Sequence, residues 1–169
     1  VLVAKTKLAS IRLKTMFEKR EFIKEYLALV KGCLEELVTI DKLISKANST
    51  IDVKMTCEKP QGKASITHIQ PLKFNKNNNT TLIKALPITG RQHQIRVHLD
   101  SISHSILGDP IYGVNEAVAN DYLCKTLSVE RRVKLTGAKR LMLHANHLSF
   151  TYKDIKYSIT SKLSKKIFE

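Results

Sequence analysis

TGRQHQIRVHL, at residues 89–99, is the densest polar cluster in the chain and the best starting point for inferring its fold. Thr89 followed three residues later by Gln92 matches a capping box, in which two side chains satisfy free N–H groups at a helix start. The helix that follows would bury Ile95 and Leu99, which lie on one helical face. This stretch therefore predicts an amphipathic helix that opens at Thr89.

The first turn of this predicted helix is suited to binding an anion. Free backbone N–H groups and the positive end of the helix dipole favour negative charge there. Arg91 could pair bidentately with a carboxylate or a phosphate, and Gln92 and Arg96, four residues apart, share a face. The alternative for Arg91 is an ordinary salt bridge. We favour the anion site because the whole segment is polar.

The histidines of the chain do not predict a metal site. His93 and His98 are five residues apart, which is about 140° around a helix and on opposite faces of a strand. His104, His144 and His147 add no recognised ligand spacing. Each is interpreted as a hydrogen-bonded packing residue, and no metal is expected.

On both sides of this segment, apolar residues alternate in the manner of β-strands. The expected strands are residues 1–4, 21–30, 50–57, 64–74, 80–88, 142–152 and 155–160, with a polar hairpin tip at residues 75–79. Thr6 would cap a helix before the second strand, and residues 114–139 would form a helical excursion. The prediction is one α+β domain with a mixed, largely antiparallel central sheet flanked by helices.

The composition favours a basic protein without a membrane anchor. With 29 Lys and Arg against 15 Asp and Glu, the formal net charge is +14, so a polyanion such as nucleic acid is the first partner to consider. A solvated lysine-rich surface would give the same charge. No apolar run approaches the roughly 18 residues of a membrane span, and three widely spaced cysteines argue against a disulfide framework. We expect a soluble, cytoplasmic domain.

Several stretches occur in an order that matches one known family. TGRxHQIRxHL at residues 89–99 is followed by ILGDPxYG at residues 106–113. Four further stretches agree with the same family in the expected order: VLVAK at residues 1–5, KEYLALVKG at residues 24–32, GKA with a nearby threonine at residues 62–67, and RLMLHA at residues 140–145. Together these motifs resemble the signature of the RluA-type RNA pseudouridine synthases.

The resemblance implies that uridine in RNA is flipped out of its stack and isomerised to pseudouridine. Arg91 is implied as a catalytic residue that pairs with the family's aspartate, and Tyr26 as one that stacks on the uracil. The alternative for Tyr26 is a strand tyrosine packed in the core. The residues implied in substrate binding are His93, Gln94, Arg96 and Leu143. Neither a cofactor nor a metal is needed, and the expected partner of a monomeric protein is ribosomal or transfer RNA.

The loop that carries the catalytic aspartate in this family, His-Arg-Leu-Asp-x-x-Thr-Ser-Gly, would lie just before Val1. His98-Leu99-Asp100 is faintly similar, but Asp100 falls inside the predicted helix, and we reject it as the nucleophile. We therefore expect residues 1–169 to be an N-terminally incomplete catalytic domain that is inactive alone. The alternative functions are a non-catalytic RNA-binding module that retains the fold and, from another class, a basic protein–protein adaptor.

Overall fold

The centre of the fold is β1, Ile23–Lys31, in a computed structural model that describes residues 2–162. It pairs with β6 (Thr80–Pro87) on one side and with β7 (Leu143–Tyr152) on the other. The remaining strands are β2 (Val38–Asp41), β3 (Ser45–Lys46), β4 (Met55–Thr56), β5 (Ile66–Asn75) and β8 (Ile155–Thr160). The main sheet has the order β2-β5-β6-β1-β7-β8, and β3 pairs with β4 separately.

The predicted α+β class is confirmed, with helices beside an antiparallel sheet. Every strand pair within residues 2–162 is antiparallel, so the parallel component allowed for in a mixed sheet is not found there. For two of these pairs the reason lies in the connections, because β5 and β6, like β7 and β8, are joined by short turns that bring the second strand back alongside the first.

The main core lies between this sheet and α2, Gln94–Asp100. Alternate residues of β1 and β6 point to one face of the sheet, and α2 presents its apolar side to them. The buried cluster includes Ala28, Val30, Ile83, Ala85, Ile95 and Leu99. The predicted burial of Ile95 and Leu99 is thus confirmed, and each such large side chain contributes about 1.5–3 kcal/mol by leaving water.

The first helix, α1 (Lys7–Glu18), begins where the sequence predicts. The Thr6 hydroxyl accepts a hydrogen bond from the Ala9 N–H at 3.2 Å, as an N-cap does. The predicted strand at residues 1–4 is wrong for residues 2–4, which form no strand and leave Val3 75% exposed, while Val1 lies outside the described residues. In the described part of the chain, residues 2–4 pair with none of the strands.

Two strand predictions between β1 and β5 are also corrected. Residues 50–57 do not form a continuous strand, because a turn after Ile51 leaves only β4 as extended structure. The sequence analysis missed β2, which has only four residues and depends on pairing with β5. By contrast, the hairpin between β5 and β6 is confirmed, with Asn79 in the left-handed conformation at φ 47°.

The predicted helical excursion at residues 114–139 is confirmed as α3 (Glu116–Leu123) and α4 (Val129–Thr136). Asn115 and Ser128 cap their N-termini through side-chain oxygens, and Gly137 ends α4 at φ 85°. None of the helices described is both long enough and apolar enough to span a lipid bilayer.

Candidate active site

The candidate active site is a surface cleft of about 200 Å³ at the N-terminal end of α2. Its walls come from β1, the end of β6, the loop before α2, the first turn of α2 and the first residue of β7. The residues that the resemblance implied all line this one cleft: Tyr26, Arg91, His93, Gln94, Arg96 and Leu143. The fold thus brings together side chains from widely separated parts of the chain.

Gln94 anchors the loop that carries Arg91. Its Oε1 accepts hydrogen bonds from the Thr89 hydroxyl at 2.7 Å and from the Arg91 backbone N–H at 2.9 Å. Its Nε2 donates to the Ile66 carbonyl and the Thr67 hydroxyl, both at 3.0 Å. An amide has two donor hydrogens and two acceptor positions, and all of them are used here. In this structure every hydrogen-bonding position of the Gln94 amide is therefore paired within the protein.

The predicted capping box at Thr89 is wrong. Helix α2 begins at Gln94, and its N-cap is His93, which adopts the left-handed conformation at φ 54°. Thr89 is 3% exposed, and its hydroxyl oxygen accepts a hydrogen bond from the Ile66 N–H at 3.0 Å. A tertiary hydrogen bond to β5 thus takes the place of the local helix cap. Gln92 is exposed outside the helix, so it does not share a helical face with Arg96.

The side chain of Arg91 lines the cleft and is only weakly hydrogen-bonded. Its Nε donates to the Ala64 carbonyl at 3.4 Å, a long hydrogen bond at the surface. Within residues 2–162 it forms no ion pair, so the ordinary salt bridge considered as the alternative is not found there. Most donors of the guanidinium remain available to an anion.

Tyr26 and Lys24 lie two residues apart on the same face of β1. The ladder between β1 and β7 shifts register between Glu25 and Tyr26, where β7 has one extra residue, Asn146, and β1 continues without interruption. Burial raises the pKa of Tyr26, so its hydroxyl stays protonated at neutral pH. Lys24 is half-buried, donates to the Thr89 carbonyl at 3.3 Å, and has its pKa lowered by burial.

Arg96 forms the most buried ion pair of the cleft. Its Nε and Nη2 each donate to a carboxylate oxygen of Asp109 at 2.7 Å, a bidentate pair with side-chain exposures of 13% and 0%. Asp109 Oδ1 also accepts from the backbone N–H groups of Ile111 and Tyr112. The ion pair links α2 to the turn after Gly108. Asp109 also stabilises that turn through its hydrogen bonds with the two backbone N–H groups.

His93 is held in place by Tyr112. The His93 Nδ1 lies 3.1 Å from the Tyr112 hydroxyl, and the guanidinium of Arg96 lies 4.9 Å from the centre of the Tyr112 ring. Burial and the Arg96 charge lower the pKa of His93, so its imidazole is neutral at pH 7. Burial also raises the pKa of Tyr112 to about 12. His93 and Arg96 therefore line the cleft while contacting Tyr112, and Arg96 is also paired with Asp109.

Leu143 adds an apolar side chain to the lining of the cleft. It pairs with Ala28 of β1 and packs against the main core, while Leu141, the other leucine of its motif, does not line the cleft. Lys24 is the site residue that the sequence analysis did not single out. Its period-two spacing from Tyr26 on the same strand was the signal that could have identified it.

The remaining histidine of the central motif is structural. His98 is fully buried on α2, and its Nδ1 lies 2.9 Å from the Thr67 hydroxyl. Burial lowers its pKa to about 4. Among residues 2–162, no group of three or more His, Cys, Asp or Glu side chains is arranged to hold a metal ion.

Comparison with known proteins identifies the family of the chain. It belongs to the RNA pseudouridylate synthase family, whose model matches residues 1–101. Its relatives include the dual-specificity RNA pseudouridine synthase RluA of Salmonella typhi, 32% identical over 173 residues that cover 96% of this chain and 66% of that protein. The resemblance to RluA-type synthases is therefore confirmed.

Two further comparisons agree with this placement. An uncharacterized RNA pseudouridine synthase of Helicobacter pylori J99 is 37% identical over 165 residues, which cover 96% of this chain and 54% of that protein. The solved structure of human RNA pseudouridylate synthase domain containing 1 matches with a TM-score of 0.72 at 28% identity, over 94% of this chain and 62% of that one. The chain spans about half the length of the first of these relatives.

Proposed function

We propose that the protein containing this chain isomerises specific uridines to pseudouridine in structured RNA, either ribosomal or transfer RNA. The observation that carries the proposal is the convergence of Tyr26, Arg91, His93, Arg96 and Leu143 on one cleft of a chain that belongs to this family. The relatives are RNA pseudouridine synthases by name, and the net charge of +14 suits a polyanionic substrate.

The proposed reaction exchanges one bond of the uridine for another. The bond between N1 and the ribose C1′ breaks, the uracil turns within the cleft, and C5 bonds to C1′. The C5 proton then leaves, and N1 regains a proton, so the atoms balance without an oxidant, a reductant or a group donor. Such a step needs a carboxylate that attacks the sugar or the base or stabilises charge, and a group that accepts the C5 proton.

We infer that this carboxylate comes from a segment before Val1 and that Arg91 pairs with it. The available guanidinium donors of Arg91 support this role, because a bidentate Arg–carboxylate pair both lowers the carboxylate pKa and fixes its direction. The backbone of Arg91 is held by Gln94 at 2.9 Å, so its position is set before any substrate arrives. Gln94 is a positioning residue in this scheme.

The other cleft residues have distinct proposed roles. Tyr26 offers an aromatic face on which the flipped uracil stacks, and its raised pKa makes its hydroxyl a hydrogen-bond donor rather than a base. Leu143 provides the apolar wall that excludes water. His93 and Arg96 contact the substrate from the other side, while Lys24 stands where the phosphate of the flipped nucleotide would pass.

The test uses the protein with its native N-terminus and RNA whose uridines carry tritium at C5, because isomerisation releases that tritium to water. We expect Arg91→Ala to lower turnover at least about 100-fold, as the loss of one charge-positioning donor does. Its affinity for RNA should change less than about threefold. Arg131→Ala, an exposed arginine on α4, is the matched control and should retain activity.

Undiminished turnover in Arg91→Ala would contradict the proposed role of this residue. If the wild-type protein binds RNA yet releases no tritium, the non-catalytic RNA-binding module is the correct reading. Such an outcome would fit the finding that the cleft is lined by no carboxylate from residues 2–162.

A further inference from the structure

A second groove adjoins the candidate active cleft on the side of α1. It has a volume of about 300 Å³, and its lining includes Phe17, Arg20 and Phe22 from α1 and the turn after it. Four residues line both this groove and the cleft: Lys24, Thr89, Gly90 and Arg91. The two spaces are therefore neighbours that share one boundary, and a ligand longer than a single nucleotide can extend from one into the other.

The wall of this groove is the end of an aromatic ladder. The rings of Phe17 and Phe22 stack with centroids 3.9 Å apart at an interplanar angle of 11°. The ladder continues from Phe22 to Phe150 at 4.9 Å and from Phe150 to Tyr157 at 5.1 Å. Phe22 and Phe150 are 6% and 7% exposed, whereas Phe17 is 47% exposed. Phe17 is thus a flat ring supported from behind and open to the groove.

The same groove is rich in positive charge. Arg20, Lys24 and Arg91 line it, against a single acidic residue, Glu18. Arg20 has left-handed backbone at φ 61°, which is uncommon outside glycine, Asn and Asp and turns the chain sharply after α1. In the described part of the chain Arg20 forms no ion pair.

We propose that this groove, lined by Phe17, Arg20, Lys24 and Arg91 and here called the flanking-base groove, binds the nucleotide next to the target uridine. The neighbouring base stacks on the open face of Phe17 and extends the ladder by one ring. The phosphate that joins the two nucleotides lies at the shared boundary, against Lys24. The inference rests on the proposed function in one respect, that uridine occupies the cleft.

The pairing of an exposed aromatic ring with several cations favours this ligand over an apolar protein segment. A nucleotide supplies both a planar base for the ring and a negative charge for the cations, whereas an apolar cover would bury Arg20 and Lys24 without a counter-charge. Stacking on an aromatic side chain tolerates any base, so the flanking-base groove would add affinity and register with little sequence preference.

The test uses RNA pentanucleotides that fix the register. The reference probe has a central uridine and abasic riboses at all other positions. The two other probes carry one adenine, directly 5′ or directly 3′ of the uridine. For the full-length wild-type protein, we expect one of the two adenine probes to bind about tenfold more tightly than the reference, as measured by isothermal titration calorimetry.

Three variants test whether the Phe17 ring is responsible for this gain in affinity. Phe17→Leu keeps the apolar bulk but removes the flat ring, so the adenine gain should fall to less than about twofold. Phe17→Tyr keeps the ring and should keep the gain. Phe74→Leu, the same change at an exposed phenylalanine on β5, is the matched control and should behave as wild type. Circular dichroism checks that each variant is folded.

The proposal is overturned if neither adenine probe binds more tightly than the reference, or if the gain persists in Phe17→Leu. The separate tritium-release assay distinguishes this failure from failure of the proposed function. If the protein converts uridine but shows no adenine gain, only the proposal of the flanking-base groove is contradicted. If the protein shows the gain but releases no tritium, the flanking-base groove is supported and the isomerase assignment is contradicted.

Discussion

At the scale of single residues, Gln94 shows how one buried amide holds the loop that carries Arg91 in place. It joins Thr89 and the Arg91 backbone to Ile66 and Thr67 of β5 through four hydrogen bonds. Two of these partners, the Thr67 and Thr89 side chains, are buried at 0% and 3% exposure. The cost of removing the amide is therefore larger than the average worth of a hydrogen bond, because the abandoned partners cannot all reach water.

We expect Gln94→Ala to lower the free energy of unfolding by about 2 kcal/mol, because several buried polar groups lose their partner. With the Arg91 backbone released, kcat should fall at least about tenfold while the RNA dissociation constant changes less than about threefold. Urea unfolding and tritium release measure the two effects. Gln92→Ala, at an exposed position in the same loop, is the control. Equal stability and kcat in the two variants would contradict the positioning role.

At the scale of elements, α2 carries a buried histidine on its core side. His98 is 0% exposed, and its Nδ1 lies 2.9 Å from the Thr67 hydroxyl. Burial lowers its pKa from the usual 6.5 to about 4, because the surrounding core disfavours the imidazolium. The folded protein therefore holds His98 neutral over a pH range in which the unfolded chain would protonate it.

This difference predicts that stability falls as the solution is acidified. Above pH 6.5 the imidazole is neutral in both states, and its environment adds no pH dependence. Between pH 6.5 and about 4 the unfolded chain binds a proton that the folded chain does not, so the free energy of unfolding falls by as much as about 3 kcal/mol.

Urea unfolding at several pH values between 4 and 7 measures the slope. His98→Gln should have a smaller slope than wild type over this range, whatever its absolute stability. His68→Gln, at an exposed histidine of β5, should keep the wild-type slope. If the His98→Gln and wild-type slopes coincide, another group is responsible for the loss at acid pH.

At the scale of the whole molecule, positive charge is spread over the chain rather than held in one tail. The full chain has a net charge of +14, and in its described part α1, α4 and the loop at residues 88–93 all carry basic side chains. A protein that contacts RNA phosphates through such a surface releases bound counterions, so its affinity depends steeply on salt. A protein–protein adaptor with the same charge would show no such dependence for RNA.

We expect the affinity for structured RNA to fall roughly 100-fold between 50 and 200 mM salt if about five phosphates are contacted. Lys24→Ala should reduce the slope of log affinity against log salt by about 0.7, the share of one phosphate. Filter binding over a salt series measures both quantities. A flat salt profile would favour the adaptor hypothesis, and an unchanged slope in Lys24→Ala would remove this lysine from the RNA surface.

Much of the architecture was predictable because its signals are local. Strand β8 was predicted with the observed limits, and β6 and β7 to within one residue, since their side chains alternate along the chain. The helices α3 and α4 were foreseen as a region. By contrast, β2 is a short strand that depends on pairing with β5, and nothing within its own four residues signals that pairing.

The sequence by itself determined the family, the α+β class and six of the residues that line the cleft, because the motif around residues 89–99 is long and specific and strand periodicity is a local property. Only the tertiary structure decided where α2 begins, which atoms Gln94 engages, and that Lys24 and Phe17 border neighbouring spaces. These features depend on hydrogen bonds and packing between distant segments. Such contacts replaced the local capping that the sequence favoured at Thr89.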